Sequence, residues 1–126
     1  MYAFELNLQY RAAVKARNLD AILSMFAPDA VITTPLRGAS DVKTYHEWLF
    51  SVVKESNVKV QNVFQALNGD ICIAVQAKYK WVLNNDKVIN FGGMSVFEFT
   101  PDRKQISKMN TFYDTALVRA ALAEAN

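Results

Sequence analysis

Val88-Ile89-Asn90-Phe91-Gly92-Gly93-Met94-Ser95-Val96-Phe97-Glu98-Phe99 runs into Thr100-Pro101-Asp102 and then Gln105-Ile106-Ser107-Lys108-Met109-Asn110-Thr111-Phe112-Tyr113. Apolar and polar residues alternate on both sides of a Pro-Asp turn, which is the pattern of two paired strands. Side chains alternate across a strand, so Ser95, Phe97 and Phe99 share one face, and Met94, Val96 and Glu98 share the other. Upstream, Ile71–Leu83 places Ile71, Ile73, Val75, Ala77, Tyr79, Trp81 and Leu83 against Gln76, Lys78 and Lys80, one face buried and one facing solvent. Asn68-Gly69-Asp70 predicts a hairpin back to a strand over Val58–Leu67, and Asn84-Asn85-Asp86 turns into the opening pair. Hairpin connections dictate antiparallel neighbours.

The residues before this sheet read as helices lying across it. Tyr2, Leu6, Tyr10, Ala13 and Val14 recur at helical spacing within Met1–Ala16, with Arg11, Lys15 and Arg17 on the other side. Asn18 breaks the chain before a short helix from Asp20 to Phe26, which Pro28 stops. Ala30–Thr34 is a short β-branched strand ended by Pro35 and an Arg37-Gly38 turn. Ser40 is placed to cap a third helix, with Asp41 at its positive end and Val42, Tyr45, Leu49, Val52 and Val53 as the core stripe. His46 falls roughly 60° from the centre of that stripe and reads as a partly exposed flank residue. A closing helix spans Thr115–Ala123. Helices gathered on one face of a bent antiparallel sheet form an α+β cone, whose hollow is the natural place for a ligand.

Composition bounds the function. The 126 residues fit one domain, 1–126, large enough for a single core. Fourteen basic against twelve acidic residues, with scattered lysines and no arginine cluster, argue against nucleic-acid binding. The single cysteine, Cys72, excludes an internal disulfide and reads as a small buried hydrophobe. The single histidine, His46, cannot build a multi-histidine metal site, and no metal or cofactor is expected. No apolar run is long enough to span a membrane, and Glu5 and Asn7 stand where a secretory signal would be basic then apolar, so the expected location is cytoplasmic.

Tyr10-Arg11-Ala12-Ala13-Val14, Asn18-Leu19-Asp20-Ala21-Ile22 and Met25-Phe26-Ala27-Pro28-Asp29-Ala30-Val31 resemble the opening of the NTF2-like superfamily, nearest to SnoaL-like polyketide cyclases and ketosteroid isomerases. Met109-Asn110-Thr111-Phe112-Tyr113-Asp114-Thr115-Ala116 is similar to the aromatic-aspartate-alanine ending of SnoaL-like proteins. The resemblance implies a cystatin/NTF2-like cone, a curved antiparallel sheet with three N-terminal helices packed on its concave face. It also implies that Tyr10 occupies the isomerases' oxyanion-hole position, while Thr34 and Ser95 stand where those enzymes carry their two catalytic aspartates. Threonine is no proton-abstracting base near neutral pH, so steroid-type isomerisation is disfavoured.

The candidate residues each carry two readings. Asp114 is the remaining acid–base candidate, by resemblance to the cyclases, or a plain helix cap. Tyr10 either polarises a ligand carbonyl or bonds a neighbouring core group. His46 either pairs with an acid at the pocket mouth or is an ordinary helix histidine. Phe26, Trp48, Phe97 and Phe112, with Thr34 and Ser95, either line a ligand cage or belong to the core. The expectation is a protein that binds a small apolar, carbonyl-bearing molecule, with isomerisation, cyclisation or dehydration as the metal-free chemistry open to it. The alternative is a non-catalytic module whose partly apolar outer sheet face forms a homodimer.

Overall fold

The computed structural model describes residues 2–69 and 71–125. Met1 of the expected first helix and Asp70 of the expected hairpin lie outside them. The order is α1 (Tyr2–Lys15), α2 (Leu19–Met25), β1 (Phe26–Thr34), β2 (Gly38–Asp41), α3 (Val42–Val52), β3 (Val53–Gln65), β4 (Cys72–Leu83), β5 (Val88–Phe99), β6 (Ile106–Tyr113) and α4 (Thr115–Ala125). The strands form one curved, unclosed sheet in the order β2-β1-β6-β5-β4-β3. The α+β cone is therefore the observed architecture, with a fourth helix closing the chain.

Long antiparallel ladders run through β3, β4, β5 and β6, pairing Tyr79 with Phe91 and Ser95 with Thr111. β1 pairs with β6 in parallel, a departure from the all-antiparallel expectation. Hairpins dictate pairing only between strands adjacent in sequence, and β1 reaches β6 from the far end of the chain. Phe26 enters this strand and ends α2 as its cap, four residues before the expected strand start. The Gln105 amide donates to the Phe26 carbonyl at 3.1 Å and anchors that entry. Pro28 sits within the register shift between Phe26 and Val31, a place where its missing N–H costs no ladder bond.

The Arg37-Gly38 turn opens into a short edge strand, β2, that pairs Ile32 with Ser40 and Val31 with Asp41. Pairing keeps Ser40 extended, so Asp41 caps α3 in its place, its carboxylate accepting from Thr44 N at 3.0 Å. That bond to the backbone N–H holds the Asp41 carboxyl below its ordinary range. At the other end of α3 the chain passes directly into β3 at Val53, five residues before the expected strand start. Arg17 fastens this junction. It ends α1 with φ +56°, donates to Phe50 O and Val53 O at 2.6 Å each, and stacks on the Phe50 ring. Cys72 is half-buried and pairs opposite Glu98, a position away from the core.

Candidate functional site

α1 supplies the centre of the site because its Tyr10 faces the core while the next residue, Arg11, turns along the edge of the hollow. The Tyr10 hydroxyl lies 2.8 Å from His46 Nε2, and His46 Nδ1 lies 2.8 Å from the Val42 carbonyl one turn back in α3. A carbonyl only accepts, so Nδ1 carries the proton, Nε2 is the acceptor, and the Tyr10 hydroxyl donates to it. His46 is fully buried, which corrects its expected flank position. Tyr10, Phe26, Tyr45 and Phe50 surround its ring. Burial depresses its pKa from 6.5 to about 4, with the Val42 bond partly opposing. Burial also pushes the Tyr10 phenol far above its ordinary range. The pair is neutral and mutually satisfied at neutral pH.

Arg11 is the second centre. Its guanidinium carbon lies 5.5 Å from the Tyr10 ring centroid and 5.6 Å from those of Tyr79 and Phe97, an aromatic cage that fixes the cation. Its Nη2 donates to the Tyr79 hydroxyl at 3.4 Å, and its Nε is buried without an acceptor. From Tyr79 a hydroxyl chain continues to Ser95 Oγ at 3.2 Å and then to Thr111 Oγ1 at 2.9 Å. Starting from a guanidinium that can only donate, the cooperative direction runs Arg11 to Tyr79 to Ser95 to Thr111. In that direction Thr111 accepts from Ser95 and keeps its own proton for another acceptor. Gly93 makes the chain possible: a Cβ there would sit 3.1 Å from the Tyr79 ring and 2.9 Å from the Phe112 carbonyl.

Tyr10, Arg11, Tyr79 and Thr111 wall an inner cavity of about 30 Å³, lined also by Tyr45, Ser56, Trp81, Phe91 and Tyr113. That space holds about two waters or one carboxylate-sized group. At about 30 Å³ this cavity is far smaller than the expected ligand-sized hollow. Beside it lies a groove of about 380 Å³ between α1 and the β3–β4 ladder, lined by Lys15, Asn57, Lys59 and Lys80 among others. Cavity and groove share Arg11, Ser56 and Tyr79. Among the described residues neither wall contains a carboxylate or an imidazole.

The other candidate residues separate. Ser95 is buried in the hydroxyl chain. Phe26 and Phe97 are core rings against Tyr10. Thr34 is buried at the end of β1, its hydroxyl accepting from Arg37 N at 3.3 Å, and is absent from the cavity wall. Trp48 lies half-buried on α3 beneath the Arg37 guanidinium, away from the cavity. Phe112 is 57% exposed and pairs with Met94, so it belongs to the outer face and not to the hollow. Asp114 is exposed and accepts from Ala116 N at 3.0 Å, the geometry of a cap on α4.

Arg11, Tyr79 and Thr111 are functional candidates that the sequence reading passed over. Tyr79 and Thr111 fall on the concave parity of β4 and β6, and the β5–β6 register alone would have set Thr111 opposite Ser95. Arg11 gave no such signal, because helical periodicity assigned it to the polar side. Among the described residues no group of three His, Cys, Asp or Glu side chains could hold a metal ion, and no helix is long and apolar enough to cross a membrane.

Three solved structures share the fold. TerC, co-crystallised with polyporic acid, superposes with a TM-score of 0.82 at 15% identity, covering 98% of this chain and 99% of its own. An NTF2-like protein of unknown function from Burkholderia pseudomallei gives 0.80 at 16% identity, covering 97% and 98%. A protein with a ketosteroid isomerase-like fold from Catenulispora acidiphila, in complex with trimethylamine, gives 0.79 at 16% identity, covering 94% and 92%. No curated protein matches the chain by sequence. The family model of the SnoaL-like domain matches residues 8–109, from the first helix that carries Tyr10 and Arg11 through the first half of β6. The chain belongs to the SnoaL-like domain family.

Proposed function

We propose that the protein binds a small, largely apolar molecule through an acceptor oxygen, such as a carbonyl, offered to Arg11 and Thr111 at the inner cavity. The body of the molecule lies in the adjoining groove. The observation that carries this reading is the hydroxyl chain from the caged Arg11 through Tyr79 and Ser95 to Thr111, which offers donors to a space whose described wall holds no carboxylate or imidazole. Burial also raises the Tyr45 and Tyr113 phenols, Tyr113 to about 12, so both remain protonated. Polarisation of a carbonyl is the step that isomerisation, cyclisation and dehydration share. A base is missing from the wall, so binding with polarisation is the activity this geometry supports. A titration with 2-cyclohexenone, followed through the Ser95 and Thr111 amide resonances, tests the reading. Saturable shifts that disappear in Thr111→Val support it; shifts confined to residues outside the cavity and groove overturn it.

A second reading rests on the outer sheet face. Phe64 and Phe112, 50% and 57% exposed, lie there with Met94 and Val96, a set of apolar groups suited to a second copy of the chain. Sedimentation of the wild type and of Phe112→Glu tests it: a dimer that the substitution dissociates supports the reading, and a monomer at every concentration removes it.

A further inference from the structure

Arg11 is the one strongly basic group on the wall of the inner cavity. Its known contacts are three ring faces and one hydroxyl, with no carboxylate among them. Its Nε is sealed from solvent yet bonded to nothing. A half-buried cation normally finds an anion, because leaving a desolvated charge unpaired is costly. Here the groove wall adds only lysines, Lys15, Lys59, Lys78 and Lys80, and no acid. We infer that Arg11 is an anion-recognition residue, and that the ligand carries a carboxylate head which enters the inner cavity and pairs with the guanidinium. This deepens the functional reading above and rests on it.

Size and geometry narrow the class. The cavity is small, about 30 Å³, and suits a planar carboxylate better than a tetrahedral phosphate with its larger oxygen shell. The guanidinium is a rigid fork that matches a planar carboxylate, and the aromatic cage orients it before any ligand arrives. One carboxylate oxygen meets Arg11, and the Thr111 proton at the end of the hydroxyl chain meets the other. The apolar body extends towards the groove, whose wall has Arg11, Ser56 and Tyr79 in common with the cavity. The ligand class is thus a small monocarboxylate with an apolar tail.

Formate and formamide test this directly, because they match in size and differ in charge. Each is titrated into the wild type, with the Arg11 Nε–H and Thr111 amide resonances followed by NMR. Formate is expected to give saturable shifts at both, at least about tenfold tighter than formamide, as a charge-assisted bond implies. Arg11→Gln is expected to erase that preference, and Arg11→Lys to keep part of it. Equal binding of the two probes to the wild type overturns the anion assignment and leaves the acceptor-oxygen reading standing. If neither probe moves the cavity resonances, both fall. The wild-type comparison needs no variant, so a poorly folded Arg11→Gln does not protect the proposal.

Discussion

The Tyr10 hydroxyl and His46 Nε2, 2.8 Å apart, join α1 to α3 inside the core, and their bond fixes the protonation of both. The imidazole titrates at about 4 when folded against 6.5 in its ordinary state. Between those values the unfolded chain binds more protons, so stability rises with pH. The contribution is fully present above pH 6.5 and is lost as the pH falls towards 4, a swing of roughly 3 kcal/mol. Urea denaturation from pH 7 to 4 should show this slope, and His46→Phe should flatten it.

Removing either partner of that pair strands the other. Tyr10→Phe leaves a buried imidazole nitrogen without a donor and should cost about 1–3 kcal/mol. His46→Phe should cost a similar amount through the orphaned phenol. The double variant should lose less than the sum, because both single changes break the same bond. Additive losses in a double-mutant cycle would show that the contact contributes little.

Asp114 should behave as a cap. Asp114→Ala removes the acceptor for Ala116 N and should destabilise by about 1 kcal/mol, while Asp114→Asn should stay close to wild type. Neither change should alter binding of a probe in the cavity. A loss of binding in Asp114→Asn with unchanged stability would return this carboxylate to the site.

Gly93 holds open the path of the Tyr79 ring. Gly93→Ala drives a methyl into the Phe112 carbonyl and the Tyr79 ring, and should cost about 1–3 kcal/mol. It should also displace the Tyr79 hydroxyl from Ser95, so carbonyl-probe binding should weaken beyond what the stability loss explains. A stability change below about 0.5 kcal/mol would mean the strands part without strain.

Asn7 lies fully buried on α1 with both amide atoms unpartnered. Asn7→Leu replaces a stranded polar group by an apolar one of similar shape, and should raise stability by about 1–3 kcal/mol in urea denaturation. A loss of stability would show that the amide is hydrogen-bonded in solution.

Much of this molecule is legible along the chain. The period-two alternation of Ile71–Leu83 and Val88–Phe99 specified long half-buried strands, and tight turns between them specified antiparallel neighbours. These are local signals, carried by residues close in sequence. The same locality misplaced Ser40 as a cap and missed β2, because the strand that holds Ser40 extended exists only through its pairing with β1. The parallel β1–β6 contact was equally invisible, since its partners lie at opposite ends of the chain.

The site shows the division most sharply. Periodicity could place Tyr10 inward, but not say that its proton goes to His46, 36 residues away, and not to a ligand. Nor could it lift Arg11 from the polar side of a helix into a cage of Tyr10, Tyr79 and Phe97, which three separate elements bring together. Sequence alone determined which faces are apolar, because that depends on each residue's own chemistry and spacing. Only tertiary structure decided which polar groups meet and which charge is left without a partner, because hydrogen bonds and ion pairing act between atoms that the folded chain alone brings into reach.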